Sequence, residues 1–489
     1  MSKKNNKTSF KWISAGSGYE HFGNTAIYVR FKKRKGPYKE KKTPSGCFFA
    51  LIDRELFVTT ALAKRNEVYT LVKGFDYCVN ADLLGFGSMF KHSGIMWTYY
   101  PSEHKRSFSY DKRKATFPIF ADCGGYPLKK GTLDFIYPDD LAIFYNKYAT
   151  RGMAIDIPIE IGISNKLVRK LGKYQKKNTK NLMKDLNKDV KLYNISHGAG
   201  YEQRKMYMDI VDLPGLDYWA IGGARTVSIF DLVYNIFSVI SYKKAKSYHV
   251  FGVAGFKGIP ILAWIGKYFN LTSDSSSALQ PGRSARMFFN VNDKVRPINV
   301  GHFMDDILHS NKIFSQLSCS CPICNALGTS EMFYKSKFHL VFVLCVLHNI
   351  NFYTTYSSIW NNLAQECTAD EYKKQVKKHI KQDTHLWSAL IDYVEEIVST
   401  SFEKANKKFS SYLTLFHKPD SFVIDDYALF EKEGGMEEVR LKHLMSNFKR
   451  YYAGEKPISM PKELKKSSYS FVKKMTRLSG LSKRKRFLG

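Results

Sequence analysis

One pattern repeats between about Cys47 and Asn311: a short apolar segment ends in Gly, Asp, His or Ser and precedes a helix-length amphipathic stretch. Clear examples are FPIFADCGGYP, GMAIDIPIEIG, DVKLYNISHG, DYWAIGG, YHVFGVAG and FNLTSDSSSA. Strands that alternate with helices form parallel sheets. Polar residues just past strand ends are typical of a (β/α)8 barrel, whose site is built by the loops after the strands. The sequence therefore predicts an α/β fold with a TIM barrel, and a doubly wound sheet is the alternative.

Several functional classes lack their sequence signals. No GxGxxG or GxxxxGK[ST] motif follows an early strand, so the sequence does not support binding of a nucleotide cofactor. The longest apolar candidate, from Phe338 to Leu347, is about half of the roughly 18–20 residues that a membrane span needs. The first residues, MSKKNNKTSF, carry basic side chains but no apolar core of a secretory signal. We expect a cytoplasmic protein without a membrane partner.

The charge of the chain points to a polyanionic partner. Of 489 residues, 76 are Lys or Arg and 44 are Asp or Glu, which gives a net charge of +32. An excess of this size favours nucleic acid first and an anionic membrane surface second. Much of it lies in residues 165–191 and in the last 30 residues.

The basic segment 165–191 is predicted to be helical. Its apolar positions Leu167, Leu171, Tyr174 and Leu182 are spaced to form one stripe. Two interpretations remain open: a solvated outer helix of the barrel, or a phosphate-binding face. A sparse apolar stripe and a dense basic face are compatible on one helix.

Three cysteines stand close together in Cys319-Ser-Cys321-Pro-Ile-Cys324, and His348 follows in LCVLHNINFY. Three Cys and one His form a closed tetrahedral zinc set, which leaves no position for a reacting water. The pattern therefore predicts a structural zinc ion. The rival fourth ligands are His339 and Cys345.

The domain organisation follows from these patterns. We expect a barrel over residues 1–352 that includes an inserted zinc subdomain at about 312–352. Residues 353–489 lack the alternation of strand and helix and are predicted to form a mostly helical, basic region for nucleic-acid contact.

Several segments, in order along the chain, resemble the tRNA-guanine transglycosylase superfamily over roughly residues 100–352. The matching segments are Phe117 to Tyr126 (FPIFADCGGY), Ala154-Ile155-Asp156, Ala220 to Gly223 (AIGG), Val250 to Val253 (VFGV), Ser273-Asp274-Ser275 and Arg296 to Asn299 (RPIN). The CxCxxC turn followed by HNI completes the set.

The resemblance implies a reaction in which a guanine of a nucleic acid is exchanged for a 7-deazaguanine without backbone cleavage. Asp274 would be the nucleophile that forms a covalent glycosyl-enzyme, and Asp122 the general acid and base. Two carboxylates suit these roles, as in retaining glycoside chemistry.

The resemblance also implies a base-binding set. Its members are Tyr126, Asp156, His197, Gly222, Gly223 and Phe251. Asp156 would accept hydrogen bonds from the N1–H and the exocyclic amine of the base, and Tyr126 would stack on it. His197 stands where the superfamily commonly has a Gln that donates to O6, and an imidazole N–H could take that role.

Departures from the superfamily pattern indicate a branch. Bacterial tRNA enzymes have a Glu that binds a cationic base where this chain has Ser228, so a neutral 7-cyano-7-deazaguanine is the expected donor. Ser275 to Ser277 also differ from the segment that follows the nucleophile in those enzymes. The chain is most similar to the DpdA-type DNA transglycosylases of phages and bacteria.

The expected partners are DNA, the free 7-deazaguanine base and accessory proteins. A tRNA-modifying enzyme or an inactive nucleic-acid-binding relative is the alternative.

Overall fold

A ring of parallel strands forms the centre of the described part of the chain. The computed structural model describes residues 8–15, 95–99, 118–131, 133–159, 164–198, 200–223, 229–275, 277–278, 281, 286–291, 294–299, 319, 321, 341–380, 384–413, 427–461 and 464. The barrel strands are β1 (Phe10–Ala15), β2 (Ile95–Thr98), β3 (Ile119–Asp122), β4 (Arg151–Met153), β5 (Lys191–Ser196), β6 (Tyr218–Ile221), β7 (Ser247–Val250) and β8 (Leu271–Ser275). Each pairs in parallel with the next, and β8 pairs with β1. The predicted parallel α/β sheet is confirmed, and its closure is compatible with a TIM-like barrel.

Helices connect consecutive strands from β3 onwards. After a short helix α1 (Gly125–Lys130), the connecting helices are α2 (Pro138–Tyr148), α3 (Asn165–Lys184), α4 (Gly200–Val211), α5 (Ile229–Ile240) and α6 (Gly258–Gly266). The connections β1 to β2 and β2 to β3 lie mostly outside the described residues.

The side chains of strands β3 to β8 are mostly buried on both faces of the sheet, as is typical of parallel strands covered by helices. In β5, Tyr193 and Ile195 face the barrel interior, where they pack with Phe120 and Met153. The alternate residue Asn194 faces outward, because its side chain contacts Gln175 of α3 at 3.2 Å. The interior is therefore a packed core, and ligand access is confined to its rims.

Helix α3 carries the predicted apolar stripe beneath a basic outer surface. Leu167, Leu171 and Leu182 are buried and Tyr174 is half-buried. Lysines and one arginine cover the exposed side: Lys166, Arg169, Lys170, Lys173, Lys177, Lys180 and Lys184. Because α3 begins after the carboxyl end of β4, its first turns lie toward the rim where the strands end.

Beyond the barrel, a two-stranded antiparallel sheet of β9 (Arg286–Val291) and β10 (Lys294–Asn299) is followed by helices. These are α7 (Val341–Glu366), α8 (Ala369–His379), α9 (Thr384–Ser399), α10 (Phe402–Lys408) and α11 (Tyr427–Tyr452). None of the helices in the described ranges is long and apolar enough to cross a membrane. Helix α7 runs unbroken through residue 352. The domain boundary between residues 352 and 353 stays a prediction.

Helix α7 is attached to the strand that closes the barrel. The side chain of Asn361 accepts a hydrogen bond from the Phe10 backbone N–H at 3.2 Å and donates to the Phe10 carbonyl at 2.8 Å. Phe10 is 1% exposed, and its backbone pairs with Leu271 on β8. One amide side chain therefore satisfies two backbone groups at the β1–β8 junction.

We expect Asn361→Ala to lower the free energy of unfolding by about 1–3 kcal/mol, because it leaves these two backbone groups without their partner. Urea denaturation followed by circular dichroism measures the change. Asn362→Ala is the matched control, since Asn362 is exposed. Equal stability of the two variants would contradict the assigned role of Asn361.

Candidate active site and metal cluster

The residues singled out in the sequence gather at one rim of the barrel. Asp122 ends β3, and Asp274 lies one residue before the end of β8. The residues that follow β4, β5, β6 and β7 at this rim are, in that order, Asp156, His197, Gly222 and Phe251. Parallel strands place their carboxyl ends on the same side of a barrel, so residues distant in sequence share one surface.

Asp274 has one fixed carboxylate oxygen. Its Oδ1 accepts a hydrogen bond of 2.6 Å from the backbone N–H of Gly252, which adopts a left-handed φ of 71°. Its Oδ2 has no hydrogen-bond partner among the described residues. The side chain keeps 12% of its surface exposed. The carboxylate is thus oriented through one oxygen, and the other is left for a ligand.

Asp156 is held on both oxygens. Its Oδ2 lies 2.7 Å from Nε2 of His197, and its Oδ1 accepts a hydrogen bond of 3.0 Å from the thiol of Cys123. Burial, and then the neighbouring Asp156 and Asp122 charges, raise the pKa of Cys123 well above its ordinary value. The thiol therefore stays protonated and acts as a donor to Asp156.

Glycines make this arrangement fit. A Cβ on Gly125 would lie 2.4 Å from Asp156 Oδ1, and one on Gly222 would lie 2.2 Å from Cε1 of His197. Neither position tolerates a side chain. Tyr126 follows Gly125 on α1 and is 49% exposed, unlike the tyrosines of the core. The rim thus presents an exposed aromatic residue next in sequence to the glycine that approaches Asp156.

Two buried residues of the rim were missed by the sequence reasoning. Arg204 of α4 is fully buried and donates to the carbonyls of Ser196, Gly198 and Gly222 at 3.1–3.2 Å. Burial lowers its pKa to about 10, so it stays cationic at neutral pH. In the sequence it is one cation among many, and no pattern separates it from surface residues.

The second missed residue is His249 of β7, whose Nε2 lies 3.3 Å from Asp274 Oδ1. A sequence signal existed. Residues two apart on a strand share a face, and His249 precedes Phe251 by two. A polar ring in line with a rim residue predicts an inward-facing side chain.

A cluster of sulfur and nitrogen atoms could hold a metal ion. The ligand atoms of Cys319, Cys321 and His348 lie within 4.8 Å of one another. Nε2 of His348 donates to the carbonyl of Phe288 at 2.7 Å, which leaves Nδ1 toward the two sulfur atoms. Such a second hydrogen bond fixes the ring of a metal-binding histidine. Cys324 and His339 lie outside the described residues.

The cluster favours a positive charge at its centre. Burial lowers the pKa of His348, but hydrogen bonds from its ring N–H to the sulfur atoms of Cys319 and Cys321 raise it to about 10. A metal cation would supply that charge in place of a proton. Cys345 is buried, but its sulfur is not part of the cluster among the described residues.

Comparisons with known proteins give a distant relationship. The chain is 25% identical over 213 residues to a queuine tRNA-ribosyltransferase of Clostridium kluyveri, covering 42% of this chain and 52% of the relative. It is 26% identical over 208 residues to the enzyme of that name from Clostridium botulinum, covering 40% and 50%. A third, from Clostridium tetani, is 25% identical over 210 residues, covering 42% and 51%.

The chain therefore spans about half the length of the curated relatives that it matches. No family model matches it. The fold and the rim together define the class: a parallel α/β barrel with carboxylates at the carboxyl ends of its strands. The distant similarity then supports a relationship to the tRNA-guanine transglycosylase superfamily.

We expect Cys321→Ser to lower the bound metal from about one equivalent to a small fraction, because it removes a thiolate from the cluster. Mass spectrometry of the purified, dialysed protein measures the metal content. Cys345→Ala is the control, since this buried cysteine stands outside the cluster. Metal loss in Cys345→Ala, with retention in Cys321→Ser, would identify Cys345 as the ligand.

Proposed function

We propose that the protein is a base-exchange transglycosylase that replaces guanine in DNA by a 7-deazaguanine. The proposal depends on the orientation of the Asp274 carboxylate. One oxygen is fixed by the Gly252 N–H at 2.6 Å, and the other is left for a ligand. A nucleophilic carboxylate needs this asymmetry, because the bonded oxygen sets its direction while the second attacks. The distant similarity to queuine tRNA-ribosyltransferases supports base exchange as the reaction class.

The proposed reaction has two displacements at the sugar. Oδ2 of Asp274 attacks C1′ as the C1′–N9 bond breaks, and the departing guanine takes a proton from Asp122. The entering base then gives its N9 proton to Asp122, its N9 attacks C1′, and the bond to Asp274 breaks. Each carboxylate returns to its starting state, as in retaining glycoside chemistry.

Base selection is assigned to the Asp156 side of the rim. Asp156 accepts hydrogen bonds from N1–H and the exocyclic amine, an edge that guanine and 7-deazaguanines share. His197 then orients Asp156 through the 2.7 Å contact, in addition to the predicted contact with O6. Tyr126 stacks on the base, Phe251 lines the pocket, and Gly222 and Gly223 allow close approach of the backbone.

The metal of the cluster is proposed to be zinc in a structural role. Cys319, Cys321, Cys324 and His348 would fill all four of its positions, which leaves none for a reacting water. The ion would tie the cysteine turn to α7 and, through His348, to the Phe288 carbonyl of β9. It takes no part in either displacement.

Three features favour DNA as the polymer and 7-cyano-7-deazaguanine as the donor. Ser228, in a segment outside the described residues, carries no carboxylate for a cationic base. The sequence after Asp274 departs from that of the bacterial tRNA enzymes. The net charge of +32 suits extensive phosphate contact. A guanine in duplex DNA would have to leave the stack to reach Asp274.

The purified protein is expected to incorporate labelled guanine or 7-cyano-7-deazaguanine into DNA. Parallel reactions with duplex DNA, single-stranded DNA and tRNA, followed by scintillation counting of the polymer, test this. Label in tRNA alone would overturn the DNA assignment. Nucleic-acid binding with no label in any polymer would favour a non-catalytic binding protein.

Asp274→Asn is expected to reduce exchange by at least about a thousandfold, because the amide cannot form the covalent glycosyl-enzyme. The denaturation-resistant adduct between protein and nucleic acid is expected to disappear as well. Asp217→Asn is the control, since Asp217 pairs with Lys246 on the surface. Retained exchange in Asp274→Asn would refute the nucleophile assignment.

The first turns of α3 are proposed to contact phosphates beside the rim. Replacing Lys166, Arg169 and Lys170 together by Gln is expected to weaken nucleic-acid binding and to flatten its salt dependence. Each lost phosphate contact lowers the slope of log K against log salt by about 0.9 on duplex DNA. Fluorescence anisotropy at several salt concentrations measures both quantities.

The last turns of α3 and the segment that follows it supply the control. Lys180, Lys184 and Lys188 are equally exposed but lie toward the opposite side of the barrel, so their replacement by Gln removes the same charge elsewhere. We expect a smaller change in slope for this variant. Equal effects of the two variants would contradict a phosphate contact at the first turns of α3, because they would show that only the net charge matters.

A further inference from the structure

His249 occupies the barrel interior directly behind the proposed nucleophile. It is 0% exposed and is surrounded by aromatic rings. Ring centroids of Phe120 and Phe251 lie 5.1 and 5.0 Å from its own, and that of Tyr193 lies at 6.3 Å. A polar ring in such surroundings is costly unless its nitrogen atoms are satisfied.

The Thr272 hydroxyl is the partner of the other ring nitrogen. It lies 3.2 Å from the carbonyl oxygen of Tyr248 and 2.8 Å from Nδ1 of His249. Nδ1 is therefore satisfied, and Nε2 is the nitrogen that faces Asp274.

Nε2 has Asp274 as its polar neighbour. It is buried and makes no aligned hydrogen bond among the described residues, yet it lies 3.3 Å from Asp274 Oδ1. A carboxylate oxygen close to a nitrogen lone pair would be repulsive, so a proton on Nε2 is the favourable state of this contact. Contacts of this kind are often long without substrate and shorten in the reacting complex.

We propose that His249 is a positioning residue for Asp274 that donates from Nε2 to Oδ1. The proposal rests on the function proposed above and extends it to the second displacement. There the C1′–Oδ2 bond breaks and its electron pair returns to the carboxylate, whose charge is shared with Oδ1. Two donors then meet that charge, the Gly252 N–H and the His249 Nε2–H, so departure of Asp274 is the step that gains most.

Two variants separate this role from simple packing. The amide nitrogen of His249→Gln reaches the position of Nε2, whereas that of His249→Asn reaches only the position of Nδ1. We expect Asn to lower kcat by about a hundredfold, with a raised steady-state fraction of covalent protein–nucleic acid adduct. Gln is expected to keep kcat and the adduct fraction near wild type.

Denaturing gels of the reaction with DNA, or with tRNA should that be the polymer used, measure the adduct. Activity retained in Asn and lost in Gln would overturn the proposal, because it would make the bond to Thr272 the important one. A proportional loss of activity and adduct in both variants would also overturn it. Absence of exchange and adduct in the wild-type protein would instead count against the proposed function.

A second measurement does not depend on turnover. In protein labelled with 15N-histidine, the His249 signals are assigned by their absence in His249→Gln. We expect a proton on Nε2 in the wild-type protein. An unprotonated Nε2 in the wild-type protein would overturn the donor role whether or not exchange is detected.

Discussion

The parallel pairing of β8 with β1 is the constraint on which the site depends. It sets Asp274 opposite Ile13 and closes the ring of strands that begins with Phe10. Closure brings Asp274 of the last strand onto the same rim as Asp122 of the third. Without it, the two carboxylates would stand far apart on an open sheet. The Asn361 side chain supports this junction from outside the barrel, so a helix far along the chain contributes to the geometry of the rim.

The rim combines burial with charge. Asp156 is satisfied by His197 and by the protonated thiol of Cys123. Such networks are favourable only when their members are paired, and a partly paired network is costly. The close fit at Gly125 and Gly222 follows from this, because any side chain there would displace the pair. The structure therefore explains why small residues flank the carboxylate.

Sequence patterns predicted the strand ends and their polar residues because burial on both faces and termination by Gly, Asp or His leave a local signal. They could not predict partners that the fold supplies from a distance. In α3, Asn178 and Thr179 are buried, although both are polar and stand outside the predicted apolar stripe of Leu167, Leu171, Tyr174 and Leu182. The Tyr452 hydroxyl of α11 bonds to Asn178, and no local pattern encodes that contact. His249 had a signal in its alternation with Phe251, whereas Arg204 had none.

Arg204 shows how a buried cation can organise backbone rather than carboxylates. At the ends of β5 and β6 the chain leaves the sheet. The Ser196 carbonyl still accepts from the Gly222 N–H at 2.9 Å, whereas Gly198 and Gly222 lie beyond the paired residues. The guanidinium of Arg204 donates to the carbonyls of Gly198 and Gly222 through one nitrogen and to that of Ser196 through another. Arg204 thereby connects the loop after β5, which carries His197, to the loop after β6, whose Gly222 packs against the imidazole ring of His197. A planar fork of donors suits this task, since a lysine offers a single point of charge. The orientation of Asp156 thus depends on His197, and that of His197 on a cation that contacts neither side chain directly.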